Sequence, residues 1–248
     1  KRTLDQGVFM ITVGTQKDTS RIGLEVAEKY EGLWASVGIH PNHLTKQSFF
    51  DDDELPADEQ ATPKIQTRSE MFDADYYRQL AKHPKCVAIG ETGLDYYRIP
   101  EDQNAQEVKE IQKKTVRAHF DLAGELNLPV IIHCRDAYND QIEIVKEYIE
   151  AGKLSSCGVV HCFGGTLEDA KEFVDMGFCI GFTGVVTFPA RKKDKLIDGL
   201  PEIQAIAKTI PLENMLIETD APYLTPAPNR GKRNEPAYVK FVAEKIAE

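Results

Sequence analysis

Cys86-Val-Ala-Ile-Gly-Glu-Thr-Gly-Leu-Asp-Tyr-Tyr97 is an apolar run that breaks into an acid at Glu91, with Gly90 and Gly93 on either side. A short β-rich run of this kind reads as a buried strand whose end delivers a carboxylate into the loop beyond. The shape recurs three times. Pro129-Val-Ile-Ile-His-Cys-Arg135, Gly158-Val-Val-His-Cys-Phe163 and Met215-Leu-Ile-Glu-Thr-Asp-Ala221 run apolar into His133, His161 and Asp220. On parallel strands lying side by side, Glu, His, His and Asp would converge on one end of one sheet, as the side-chain set of a hydrolytic metal centre. Taken singly, each could be a buried polar residue satisfied by hydrogen bonds. Four at separate strand ends are hard to explain that way, because barrel active sites gather on that face.

Outward from this stretch the chain alternates strand and helix. Strands are expected at Val8–Thr15, Leu33–His40, Cys86, Pro129, Gly158, Phe178–Val186 and Met215. Helical spacing covers Ser20–Tyr30, Met71–Lys82, Asn104–Leu126, Tyr138–Ala151, Thr166–Met176, Leu196–Lys208 and Tyr238–Glu248. Strands separated by helices imply an α/β fold with a parallel sheet covered on both faces, in a single domain over 1–248. Seven strands are one short of a closed eight-stranded barrel. The rhythm breaks over about 44–70, an acidic, proline-containing segment read as a surface insertion.

Composition narrows the function. With a formal net charge of −10, general attraction to nucleic acid or anionic membrane is disfavoured, so a polyanionic substrate would need local cations, bound metal included. No run of about 18 apolar residues exists, which predicts no membrane span and a soluble, cytoplasmic protein, or a nuclear one in a eukaryote. Five cysteines without a C-x-x-C read as reduced packing residues. Strand alternation groups His133 with Ile131 and His161 with Val159 inward, and turns Cys134 and Cys162 to the helices. It also puts Glu218 inward with Asp220, either to orient a ligand or as a buried ion-pair partner.

Gly38-Ile-His-Pro-Asn-His43, Ile89-Gly-Glu-Thr-Gly-Leu-Asp-Tyr-Tyr97, Ile132-His-Cys-Arg-Asp-Ala137, Val160-His-Cys-Phe-Gly-Gly165, Glu218-Thr-Asp-Ala-Pro-Tyr-Leu224 and Arg230-Gly-Lys-Arg-Asn-Glu-Pro236 together resemble the signature segments of the TatD family of metal-dependent deoxyribonucleases. The resemblance implies a TIM-type (β/α)8 barrel hydrolase that cuts DNA phosphodiesters, acting on single strands or 3′ ends, with two divalent ions such as Mg, Mn or Zn. It implies that Glu91 bridges the metals, that His133 and His161 hold one and that Asp220 binds the other and orients the attacking water. His40 would contact the scissile phosphate, donating to one of its oxygens or acting as general acid towards the leaving group, or else merely cap the Pro41 turn. Arg135 and the loop from Arg230 to Asn234 are candidates for gripping the backbone. His43, His83 and His119 are assigned no role.

One departure is plain: the family opens with a strand bearing an H-x-H pair, and no H-x-H occurs here. The first strand and helix are therefore read as absent from this sequence, and the natural protein is expected to carry roughly 40 further residues before Lys1. Two other readings compete. One is an amidohydrolase-like enzyme of small esters, amides or phosphoesters; the other is a non-catalytic scaffold with an incomplete metal site.

Overall fold

Seven largely apolar runs form the seven expected strands: β1 (Met10–Thr12), β2 (Leu33–Val37), β3 (Cys86–Asp95), β4 (Val130–Arg135), β5 (Gly158–Val160), β6 (Cys179–Phe182) and β7 (Met215–Ile217). Of these, β2, β3 and β4 are mostly buried on both faces, whereas Ile11 on β1 and Leu216 and Ile217 on β7 are exposed. The computed structural model describes residues 1–49, 65–192 and 195–248. Helices intervene: α1 (Lys17–Glu28), α2 (Ala74–Ala81), α3 (Ala105–Leu126), α4 (Tyr138–Glu150), α5 (Leu167–Asp175), α6 (Glu202–Thr209) and α7 (Val239–Ala247). Two compact units result. An N-terminal unit comprises Phe9–Ser48 and Gln66–Val159; a C-terminal unit comprises Lys1–Val8, Phe49–Ile65 and Val160–Glu248.

In the N-terminal unit β1 pairs in parallel with β2, β2 with β3 and β3 with β4. Ala35, Val37, Ile89, Val130 and Ile132 are fully buried, each worth about 1.5–3 kcal/mol of apolar burial for the larger side chains. The long helix α3 supplies their cover through Val116, Phe120, Leu122 and Ala123. Its start is set by Asn104, whose side chain accepts from the Gln106 and Glu107 N–H groups, and its end by Asn127 in the left-handed conformation. Gln112 on the same helix clamps the end of β3, accepting from Asp95 N at 2.9 Å and donating to Asp95 O at 3.0 Å.

In the C-terminal unit β6 and β7 pair in parallel, over a core that includes Phe173, Phe178, Ile180, Phe182 and Ile206. Thr166 opens α5 with a reciprocal capping box to Asp169.

Several sequence expectations shift. The strand carrying Glu91 does not end there: β3 runs on to Asp95, and Glu91 sits in a register irregularity between Ile89 and Thr92, which pair with Val130 and Ile132. Two residues on β3, Gly90 and Glu91, oppose one on β4, Ile131, so the extra residue turns the side chain out of simple alternation. The helix expected from Leu196 begins at Glu202 instead. Before it, Leu196–Ile197 and Leu200–Pro201 pair antiparallel about Asp198-Gly199, both at positive φ, the two-residue turn for which Asp-Gly is suited. The Phe178–Val186 strand stops at Phe182, and Gly184–Thr187 forms a 3-10 turn. Of the expected surface insertion over about 44–70, residues 50–64 lie outside the described residues. In its flanks Lys46, Ser48, Gln66, Arg68 and Ser69 are exposed, while Leu44, Thr45 and Thr67 are buried and Thr67 is tied to Gln47 by backbone and hydroxyl hydrogen bonds. All five cysteines are free, as expected.

Candidate metal centre

In the N-terminal unit the structure gathers His40, Glu91 and His133, each offering one ligand atom within 4.8 Å of the others. Glu91 arrives on the irregularity of β3 and is anchored by its own N–H, which donates to Gly14 O at 2.8 Å. His133 arrives on β4. Its Nδ1 lies 3.2 Å from Glu91 Oε1 and its Nε2 3.3 Å from Asp95 Oδ2. Close approach of the two strands requires Gly93: it has φ 148°, and a Cβ there would run into the His133 carbonyl.

Asp95, which sequence reasoning did not single out, is the organising group. It is 1% exposed, and its Oδ2 also accepts from Asn42 Nδ2 at 3.1 Å while Oδ1 accepts from Arg98 N at 2.9 Å. Burial works against its charge, but the His133 hydrogen bond and charge, with the Arg98 N–H, outweigh it and hold the carboxyl below its ordinary value. For His133 burial likewise opposes charge, and hydrogen bonds to Asp95 and Glu91 overcome it, pushing the ring up to about 9. Two carboxylates on one imidazole thus create a demand for positive charge between them, which a divalent cation meets as well as a proton does.

His40 is placed differently. Its Nδ1 accepts from Asn42 N at 3.1 Å and its Nε2 stands 3.6 Å from Glu91 Oε1. Burial first, then the neighbouring His133 charge, lowers its pKa to about 3. A neutral ring that accepts at Nδ1 must carry its hydrogen on Nε2, so the nitrogen facing Glu91 is a donor with no lone pair for a metal. The turn-capping role and the donor role expected of His40 are therefore compatible. His43 is a neighbour of this group, with Nδ1 2.6 Å from Gln16 Nε2 and its pKa lowered to about 4 by burial. His83 accepts from Lys85 N in its turn.

A second group forms in the C-terminal unit from His161, Glu218 and Asp220. His161 Nδ1 lies 2.8 Å from Glu218 Oε2, and its Nε2 lies 3.4 Å from Asp220 Oδ1. The same Glu218 oxygen accepts from Cys162 N at 2.9 Å, so the carboxylate is held from two sides and orients the ring. Gly181 makes room for it, since a Cβ there would meet the Glu218 carboxyl group. Cys162 does not follow the expected outward direction. β5 ends at Val160, Cys162 takes φ 45°, and its sulfur lies 3.7 Å from Thr183 Oγ1 with its thiol pushed up by burial and by Asp220.

Of the gripping candidates, Arg135 lies over the Tyr97 ring at 3.8 Å and Arg230 over the Phe188 ring at 3.9 Å. Asn234 is spent on the protein itself: its amide donates to Thr219 O at 2.7 Å and Tyr223 O at 2.6 Å, tethering the loop that carries Asp220.

The two groups repeat one motif, a carboxylate holding one nitrogen of an imidazole whose other nitrogen faces a second carboxylate. Imidazole nitrogen with carboxylate oxygen is a donor set suited to Zn, Mn or Fe and tolerant of Mg. Parallel strands with intervening helices and such a donor set define a TIM-type metal-dependent hydrolase. Comparison with known proteins agrees. Residues 2–248 match the family described as TatD related DNase. The chain is 39% identical over 241 residues to the uncharacterized metal-dependent hydrolase YabD of Bacillus subtilis (strain 168), covering 96% of this chain and 78% of that protein. It is 34% identical over 245 residues to the 3'-5' ssDNA/RNA exonuclease TatD of Klebsiella pneumoniae (strain 342), covering 96% and 77%. Among solved structures, the TatD homolog YjjV of Escherichia coli K12 superposes with a TM-score of 0.76 at 27% identity, covering 99% of this chain and 80% of that one. This chain belongs to the TatD-related DNase family, and is a hydrolase of ester bonds. No helix among the described residues is long and apolar enough to cross a membrane.

Proposed function

We propose that this protein is a nuclease that removes nucleotides from the 3′ ends of single-stranded DNA, with Glu91, His133, His161 and Asp220 as ligands for two divalent ions and Glu91 shared between them. The observation that carries the reading is the locked imidazole: His133 is held by Asp95 and His161 by Glu218, leaving the other nitrogen of each directed at Glu91 or Asp220. Ligating histidines are characteristically fixed in this manner by an outer carboxylate. Bound divalent metal supplies a water acidic near neutral pH and neutralises charge on the phosphate. With metal bound, Asp220 would orient that water and serve as the acceptor of its proton. His40 donates Nε2–H to a non-bridging phosphate oxygen; kept neutral by its surroundings, it has no second proton for the leaving group. Arg135 and Arg230 contribute local positive charge on a chain of net charge −10.

The test is digestion of end-labelled single-stranded DNA with Mg, with Mn and with EDTA in parallel. A ladder receding from the 3′ end with metal, and none in EDTA, is the expected result. Turnover of nitrophenyl esters or cyclic amides with no nucleotide released under any metal would transfer the protein to the small-ester and amide hydrolases.

A further inference from the structure

Tyr97 is an aromatic residue where a polar one would be expected. It lies two residues past Asp95, the buried end of β3, yet is 54% exposed. Its ring is not loose, because the Arg135 guanidinium carbon lies 3.8 Å from the ring centroid, a stacking distance. Both residues are fixed from below. Asp95 and Arg135 are register partners at the ends of β3 and β4, and Tyr96 N donates to Arg135 O at 2.9 Å. On β4, Arg135 is two residues past His133, so it shares the face of that imidazole about 7 Å further along the strand.

We propose that Tyr97, held by Arg135, is a stacking platform for an unpaired base of the strand whose backbone passes His133; for its substrate class this rests on the nuclease reading above. A flat exposed ring offers a π-face, which every base can use without regard to sequence, and the arginine adds the positive charge that a phosphate-bearing ligand needs on this acidic chain. Bases inside a duplex are already stacked on one another and cannot reach such a surface without unpairing. The platform therefore selects single strands, and a small phosphoester or amide has no use for it.

The experiment is fluorescence anisotropy in EDTA, so that nothing is cut, with a labelled oligothymidylate and an abasic strand of the same length. Stacking on one aromatic side chain is worth about tenfold or more in affinity, so the wild-type protein should bind the thymidylate strand about tenfold more tightly than the abasic one. Tyr97→Leu, which keeps an apolar side chain without a π-face, should bring the two affinities together by weakening only the thymidylate strand. Tyr97→Phe should keep the difference. A Tyr97→Leu protein that still prefers the thymidylate strand as strongly as wild type overturns the platform, as does one that loses both strands equally. Nucleotide release from the same strand with Mg, Mn and Zn is measured alongside. Discrimination without release would remove the nuclease reading and keep the platform; release without discrimination would do the reverse.

Discussion

Replacing His119 by glutamine should change how the stability of the protein depends on pH. His119 lies on α3 with no exposure at all; its Nε2 accepts from Ile39 N at 3.1 Å and its Nδ1 lies 2.8 Å from Thr115 O, with the Phe72 ring 4.0 Å away. Burial lowers its pKa from 6.5 to about 4. Above pH 6.5 the ring is neutral in folded and unfolded chains alike. As the pH falls, the unfolded chain takes up a proton that the folded ring refuses until about pH 4, so stability present above 6.5 is lost progressively down to that point and no further. At 1.36 kcal/mol per pKa unit the loss at pH 5 is about 2 kcal/mol. Glutamine can reach one of the two partners but not both with the ring's geometry, a cost of roughly 1 kcal/mol at pH 8. The two stabilities should therefore cross: wild type more stable at pH 8, His119→Gln more stable at pH 5. His40 and His43 titrate in the same direction but are present in both proteins and cancel in the difference. Urea denaturation followed by circular dichroism at the two pH values measures it. Parallel pH dependence in the two proteins would mean that His119 is already charged or already solvated in the fold, refuting a buried neutral ring.

Three further outcomes are expected at the candidate centre. Glu91→Gln keeps the volume and removes the charge, so DNA cleavage should fall by more than about a hundredfold with the fold intact; near-normal activity of a metal-loaded variant would exclude the bridging role. Asp95→Asn and Glu218→Gln should each lower metal affinity by about 10- to 100-fold by releasing His133 or His161, measured by calorimetric titration; unchanged affinity would reduce both carboxylates to packing. His40→Ala should retain full metal content by elemental analysis while turnover drops, since the nitrogen facing Glu91 is a donor; loss of metal would make His40 a ligand.

The strands were legible in the sequence because a strand covered on both faces is written as a continuous apolar run, as in Val130-Ile-Ile132 and Cys86-Val-Ala-Ile89. Helix α3 was equally plain, with its cap at Asn104 and its stop before Pro129. Glu91, His133, His161 and Asp220 stood out because each interrupts such a run at the same place. What the sequence could not show depends on which residues face one another across long stretches of chain. Asp95 lies inside a quoted motif, but its importance comes from Asn42, 53 residues earlier, and His133, 38 residues later. The position of Glu91 within β3 rather than at its end is a property of pairing with β4, and the direction of Cys162 follows from where β5 stops. The Asp198-Gly199 turn was the exception: its signal was local and present, and apolar spacing further along concealed it. The tautomer of His40 was decided last of all, by one backbone N–H two residues on. Local sequence sets conformation and the identity of each donor, whereas hydrogen-bond partnership, and with it the choice between ligand and donor, exists only once the chain has folded.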